Sequence, residues 1–547
     1  MQSALILGAI LVAIATLADV TSQRLRLSHS ILLVVIGAAL SLTPGMPRVS
    51  IEPQLVLLLF LPPLIYWSGV GMSWPGFRNN LRPILLLAIG CVIFTAAAVA
   101  VSVHWLLGLP WAVAFVLGAV VSPPDPVAPM AIARRFKLPS RLLTILEGEG
   151  VVNDATALIL LSFAVAAAAS GTFSLAAATL NFIAIVIGEV IWGAAVGWTM
   201  LRVRRWAGAP QVEIVLALLT PFIAFWPPHM LGGSGVLGAL AAGLYVSWHG
   251  PRFISPATRL QGFFVWGLLV HALEGVLFLL TGLQARTLAA GLADTAWERL
   301  AIAGVLTCLV VIIVRFIWVF PAAYLPRIWF RAIRQREPAL PWQSPFIIGF
   351  TGIRGVISLV AALSIPLTIA GAPFPDRPLI LFVTFCVIVV TLVGQGSILP
   401  MLLSRLRLVT AGEAEAAEAK VREVQARREG VEAALAELDR LATEGASPKA
   451  IAALRRRQED RWAEYASVAD ATLAGGSTAE NAQLQAQLVK VERRKIAELY
   501  AESRITDDAR RRIERELDLE DARNKHAFES ATGNVLADPV SEIRSEW

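Results

Sequence analysis

The sequence predicts an all-α, polytopic membrane protein followed by a soluble helical tail. Three observations lead there. Hydrophobic residues make up 56% of the 547-residue chain. Apolar runs recur from the N-terminus to about residue 403, each near the roughly 20 residues that cross a bilayer as a helix. The charge is skewed: 28 of the 41 acidic residues and 22 of the 47 basic ones lie beyond residue 410, so the earlier part carries +12 and the tail −6.

Thirteen spans are expected, near 3–20, 29–43, 51–70, 83–107, 110–133, 142–168, 176–201, 211–227, 234–249, 262–284, 301–324, 345–370 and 379–403. The first has no basic segment before it and no clear cleavage site, which reads as a span and not a removed signal peptide. Bases cluster in the loops after odd-numbered spans: Arg24 and Arg26; Arg78 and Arg82; Arg134, Arg135, Lys137 and Arg141; Arg202, Arg204 and Arg205; Arg252 and Arg259; Arg327 to Arg336; Arg405 and Arg407. Such loops stay in the cytoplasm, which puts the N-terminus outside and the tail inside, at the plasma (inner) membrane. The bases are topology signals, so nucleic acid is not expected as a partner. Cys91, Cys308 and Cys386 each fall inside an apolar run, as packing residues and not a disulfide framework.

The expected domains are 1–405 in the membrane and 406–547 in the cytoplasm. The tail is rich in Ala, Glu, Arg and Leu, which favour solvated helices. Breaks fall at EGASPK (444–449) and AGGST (474–478), and Thr506 or Asp507 is a candidate N-cap for a further helix. With no cysteine, a single histidine (His526) and no phosphate loop, the tail reads as a stabilising or regulatory bundle whose partner the sequence leaves unknown.

Function is sought among the acids at membrane depth, each of which costs a few kcal/mol on insertion scales. Glu52, Asp294, Glu298, Glu337 and Asp376 fall in loops, and Asp19 and Glu213 near span ends, where solvation explains them. Asp125, Glu147, Glu149, Asp154, Glu189 and Glu274 lie within spans. Glu189 is alone in its span and reads equally as a structural residue or a headgroup contact. The other five sit in segments that carry a second anomaly or face one.

In SPPDPVAP (122–129), Pro123, Pro124 and Pro126 interrupt the fifth span and strip the carbonyls of Ala119, Val120 and Ser122 of their helical donors. Irregular backbone at this depth must face protein or a water-filled cavity, and free carbonyls beside Asp125 are hard oxygen ligands for an alkali cation. In LEGEGVVNDATALIL (146–160), Glu147, Gly150 and Asp154 share one stripe of the sixth span, with Glu149 and Asn153 on the next. Gly150 leaves room for a close approach, and Asn153 can donate and accept without adding charge. In FTGIRGVISL (350–359), Gly352 and Gly355 loosen the twelfth span, and Arg354 is a permanent charge that needs a partner, with Glu274 and Glu149 as candidates. Two interrupted helices seven spans apart point to an inverted-repeat transporter with its site at the midplane.

This constellation resembles the monovalent cation:proton antiporters of the NhaP and NHE type. FLPPLIYWSG (60–69) is similar to their third-span segment, SPPDPVA to the unwound fifth-span motif, EGEGVVNDA to the sixth-span acidic motif and GIRG to the twelfth-span arginine motif, while Glu274 matches a tenth-span glutamate. The resemblance implies inverted repeats, an elevator-like core moving against a dimerisation domain, and a homodimer in the lipid bilayer. It places the cation and proton on Asp154 and Asp125, with Asn153, Glu149, Pro124 and Gly150 around them, Glu147 as an accessory, and Arg354 with Glu274 as an ion pair or helix-positioning group. Asparagine at 153 is the family's pattern for electroneutral one-for-one exchange. Gly150, Pro124 and Trp67 depart from the family's serine, threonine and carboxylate.

The expected function is therefore antiport of a monovalent cation, Na+ first and K+ as the alternative, against H+, with no cofactor beyond the transported ions. Asp154, helped by Asp125, binds either ion but not both, and the empty, charged site crosses the lipid barrier poorly. A cation channel would use the same acids as a selectivity ring. An intramembrane enzyme is not expected: there is no HExxH motif, and His271 has no ligand partner at metal spacing.

Overall fold

The computed structural model describes residues 29–43, 57–136, 138–171, 174–286, 296–336, 341–369, 371–406, 408–471, 477–501, 513 and 516–524. The first expected span (3–20), the expected cap at Thr506 or Asp507, and the loop residues Asp19, Arg24, Arg26, Glu52, Lys137, Asp294, Glu337 and Arg407 lie outside them. The chain divides into two compact units after Glu413.

In the first unit, helices occupy the expected intervals from residue 29 onward. They are α1 (His29–Ser41), α2 (Leu61–Gly71), α3 (Leu81–Leu107), α4 (Trp111–Val121), α5 (Val127–Arg135), α6 (Ser140–Ser170), α7 (Leu175–Ala207), α8 (Pro210–Met230), α9 (Val236–Phe253), α10 (Pro256–Leu283), α11 (Trp297–Trp329), α12 (Gln343–Phe350), α13 (Val356–Leu363) and α14 (Arg377–Arg405). Among the described residues, seven of these are long and apolar enough to span a bilayer unaided: α3, α6, α7, α8, α10, α11 and α14. The fifth expected span is the broken pair α4/α5 and the twelfth is α12/α13. The twelfth ends earlier than expected. Past Leu363 the chain turns at Pro366 into a short antiparallel pair, Thr368–Ile369 with Ala372–Pro373.

Two bundles make up this unit. One gathers α1, α2 and α7 to α10; the other gathers α3 to α6 and α11 to α14; α6 and α13 reach across. Between apolar helices in an apolar solvent, close backbone approach drives association, and small residues permit it. A Cβ added at Gly243 of α9 would stand 3.1 Å from the Gly69 Cα of α2, and one at Gly282 of α10 would stand 2.8 Å from the Gly37 Cα of α1.

Two long helices widen into π turns at Leu86–Cys91 in α3 and Val390–Gln395 in α14. A π turn leaves carbonyls without their usual donors. The Trp318 Nε1–H of α11 donates to the Leu86 carbonyl at 2.9 Å. At the second π turn, Thr391 Oγ1 donates to the Val387 carbonyl at 2.7 Å and turns toward the twelfth-span break.

The second unit contains α15 (Leu408–Thr443) from Ala414 onward, α16 (Pro448–Ala471) and α17 (Ser477–Ala501). Val424, Val431 and Leu438 are buried at seven-residue spacing, a heptad seam along α15. The Arg428 guanidinium of α15 lies 4.6 Å over the Trp462 ring of α16, and Arg455 pairs with Asp439.

Candidate ion-binding site

The two broken helices meet, and their exposed backbone is satisfied by one another and by one arginine. At the first break the prolines leave Ser122 to Pro126 out of helical register. Asp125 N–H donates across to the Ile353 carbonyl of the second break at 2.7 Å, and Asp125 Oδ1 accepts from Val127 N–H at 2.8 Å. Of the carbonyls left without helical donors, that of Ala119 takes the Ser122 hydroxyl at 3.0 Å and that of Ser122 takes Arg354 Nη2 at 3.3 Å. Arg354 Nε donates to the Val121 carbonyl at 3.0 Å, and its Nη1 to the Gly352 carbonyl. Its own backbone N–H donates to Thr391 Oγ1 at 2.9 Å. Arg354 thus ties α4 to the α12/α13 break and to α14.

This corrects one expectation. Among the described residues Arg354 forms no ion pair with Glu274 or Glu149. Stripped carbonyls next to it supply enough partial negative charge to take a planar fork of donors. Glu274, half-buried in α10, lies within electrostatic reach of Asp125 instead.

Glu149 has a different partner, which the sequence reading missed. Arg315 of α11 donates from Nη1 to Oε1 at 2.5 Å and from Nη2 to Oε2 at 2.9 Å, and from Nε to the Ile348 carbonyl at 3.0 Å. Gly352 packs against the arginine, and any side chain there would collide with it. The signal was available: Arg315 is the one base in the apolar run 301–324, and a permanent charge there calls for a buried acid as strongly as the acid calls for it.

The α6 residues close the site from the third side. Gly150 lies against the Pro126 ring so closely that a Cβ would overlap it. Asn153 donates from Nδ2 to the Pro124 carbonyl at 2.7 Å, while its Oδ1 is buried with no hydrogen-bond partner among the described residues. Asp154, next along α6, is 4% exposed and within electrostatic reach of Asp125. Among the described residues no lysine or arginine pairs with it and no donor hydrogen-bonds to its carboxylate. The Asp125 carboxylate rests on Gly355, where a Cβ would occupy its space. Pro124, Asp125, Pro126, Glu149 and Gly150 share one narrow recess, with Arg315 and Thr351 on its far wall. Glu147 is half-buried and outside that lining.

Three other residues fall elsewhere. Trp67 stacks on Trp266, with ring centroids 5.5 Å apart and planes 6° from parallel, inside the other bundle. Glu189 is a helix anchor: it accepts from the N–H groups of Ser234, Gly235 and Leu237 at 2.6, 2.9 and 3.0 Å, at the start of α9. Glu213, expected to be solvated near a span end, is 5% exposed because α8 begins under the end of α7, where Arg204 Nε donates to the Glu213 carbonyl.

Comparison with known proteins agrees with this architecture. The family described as "Sodium/hydrogen exchanger, transmembrane" matches residues 9–405. The chain is 34% identical over 521 residues to an uncharacterized Na+/H+ exchanger of Mycobacterium bovis, covering 93% of this chain and 94% of that one. It is 32% identical over 381 residues to a sodium, potassium, lithium and rubidium/H+ antiporter of Bacillus pumilus, covering 68% and 56%. The fold is shared with the sodium proton antiporter MjNhaP1 of Methanocaldococcus jannaschii at pH 8, at a TM-score of 0.59 and 16% identity, over 75% of this chain and 99% of that one. The chain is a multi-pass membrane transporter and not an enzyme, and it belongs to the sodium/hydrogen exchanger family of monovalent cation:proton antiporters.

Proposed function

We propose that this antiporter exchanges Na+ for H+ across the plasma membrane, one for one and without net charge movement, with both ions competing for Asp154 and Asp125. The observation that carries the reading is Asp154: a buried carboxylate with no protein cation or donor on it among the described residues, beside a second carboxylate at the crossing of two broken helices. A buried charge left this way is expensive, so a small cation or a proton must neutralise it in turn. The Glu149 charge is already taken by Arg315, and Asn153 adds none. Glu149 is thereby withdrawn from the exchangeable charge, which supports electroneutral exchange. The unpartnered Asn153 Oδ1 supplies a further neutral oxygen on the side chain that holds the Pro124 carbonyl.

On this reading the chain has thirteen spans built as inverted repeats, an outside N-terminus, a cytoplasmic tail and a homodimeric assembly. The bundle holding α4/α5 and α12/α13 moves against the one holding α7 to α10. A second reading, K+/H+ exchange, is favoured by the Bacillus relative, whose name includes potassium. Proteoliposomes under an imposed pH gradient, with Na+, K+ and Li+ added in turn, separate the two. Na+ gives the strongest fluorescence dequenching on the first reading and K+ on the second, while no response to any cation contradicts both.

A further inference from the structure

Thr351, at the twelfth-span break, carries a buried hydroxyl that the fold does not need. It follows the last residue of α12, is 3% exposed, and shares the recess with Asp125 and Gly150. Its hydroxyl donates to the Ile347 carbonyl at 2.9 Å, with the Ile348 carbonyl at 3.2 Å. Neither carbonyl depends on it. That of Ile347 already accepts the Thr351 backbone N–H at 2.8 Å, and that of Ile348 accepts Arg315 Nε–H at 3.0 Å. Thr391, at the second π turn, differs, because its oxygen accepts the Arg354 N–H. No donor among the described residues hydrogen-bonds to the Thr351 oxygen, so its lone pairs remain open.

The recess has room for about one water-sized particle. A cation held there has therefore shed its hydration shell and takes its oxygens from the walls. Three prolines, Leu146 and Gly150 provide no side-chain oxygen, and Glu149 is held by Arg315. No hydroxyl-bearing side chain fits at position 150 of α6, because the Pro126 ring fills the space of its Cβ. Of the lining residues this leaves Asp125 with its carboxylate and Thr351 with its hydroxyl, one from each broken helix. A hydroxyl oxygen is a hard, neutral ligand that suits an alkali cation, yet it takes up no proton near neutral pH.

We propose that the Thr351 hydroxyl oxygen ligates the transported cation, together with Asp125. The bound cation then bridges the two broken helices, and Thr351 sets cation affinity without entering the proton half of the cycle. Thr351 has this role only if the site is the one where cation and proton compete.

The test is antiport by the full-length protein in proteoliposomes at a fixed pH gradient, with Na+ and K+ titrated separately. T351V keeps the branched shape and loses the hydroxyl. It is expected to raise the half-saturating concentration of the transported cation about tenfold, with the maximal rate within about twofold of wild type. T351S, which keeps the hydroxyl, is expected to stay near wild type. T351C replaces the oxygen with sulfur, a poor ligand for a hard cation, and is expected to behave like T351V; it decides the matter if T351V does not fold. Wild-type half-saturation in T351V or T351C overturns the proposal. So does a fall in maximal rate alone, which is what a purely structural role would give. Those outcomes leave the transport reading standing, whereas a wild type that responds to neither cation overturns both.

Discussion

Arg315 grips Glu149 through two parallel hydrogen bonds, at 2.5 and 2.9 Å, with both side chains 2% exposed. The pair joins α6 to α11 directly beside the recess that holds Asp125, and it consumes the one charge there that should not be exchanged.

Breaking it leaves an uncompensated charge out of water, which costs about 3–5 kcal/mol. E149Q or R315Q is therefore expected to lower the melting temperature sharply in detergent, while E149Q/R315Q loses less than the two single changes together. Either single variant melting like the wild type would remove the pair from the account.

Arg354 holds the crossing by bonding carbonyls from both broken helices. R354A is expected to insert but to lose antiport, and R354K to recover only part, because a point charge cannot reproduce the planar fork. Abundance by immunoblot and activity by dequenching check this. Intact abundance and intact activity in R354A would show that the crossing does not need it.

Gly355 gives its missing side-chain volume to the Asp125 carboxylate. G355A must push that carboxylate aside, an overpacking cost of about 1–3 kcal/mol, and is expected to weaken the cation's apparent affinity in the transport assay. G394A, with open space at its Cβ position, is the control and should behave as wild type. An equal effect in both variants would mean that the Asp125 position is not what was disturbed.

Glu189 anchors the start of α9 by accepting three backbone N–H groups. E189A strips buried donors of their acceptor, worth about 1–3 kcal/mol, and should destabilise the fold, with E189Q retaining part of the stability. Thermal unfolding followed by gel filtration reads this out. An unchanged E189A would return Glu189 to a headgroup contact.

How much of this was legible in the sequence follows from what lipid demands. A helix in hydrocarbon must be apolar along its length, so helix positions could be read directly, and Pro123, Pro124 and Pro126 marked the first break as plainly. The second break was legible from Gly352, Arg354 and Gly355 together. Partners were harder, because pairing is set by packing and not by spacing: Arg315 and Glu149 lie 166 residues apart. Of the carbonyls that take Arg354, that of Ser122 was marked by Pro126 four residues on, but those of Val121 and Gly352 carry no side-chain signature, which is why a carboxylate was expected there. The π turns left no trace either, since Thr391 and Leu86 sit in ordinary apolar runs. Glu213 looked solvated because a span end read along the chain does not reveal which helix covers it.

The most direct measurement is proton-coupled Na+ uptake into proteoliposomes by D154N, compared with wild type at equal protein content. Uptake driven by the pH gradient should fall to the level of protein-free vesicles, with the variant still folded and inserted. Uptake in D154N at the wild-type rate, still coupled to protons, would contradict the claim that this carboxylate is where the two ions take turns.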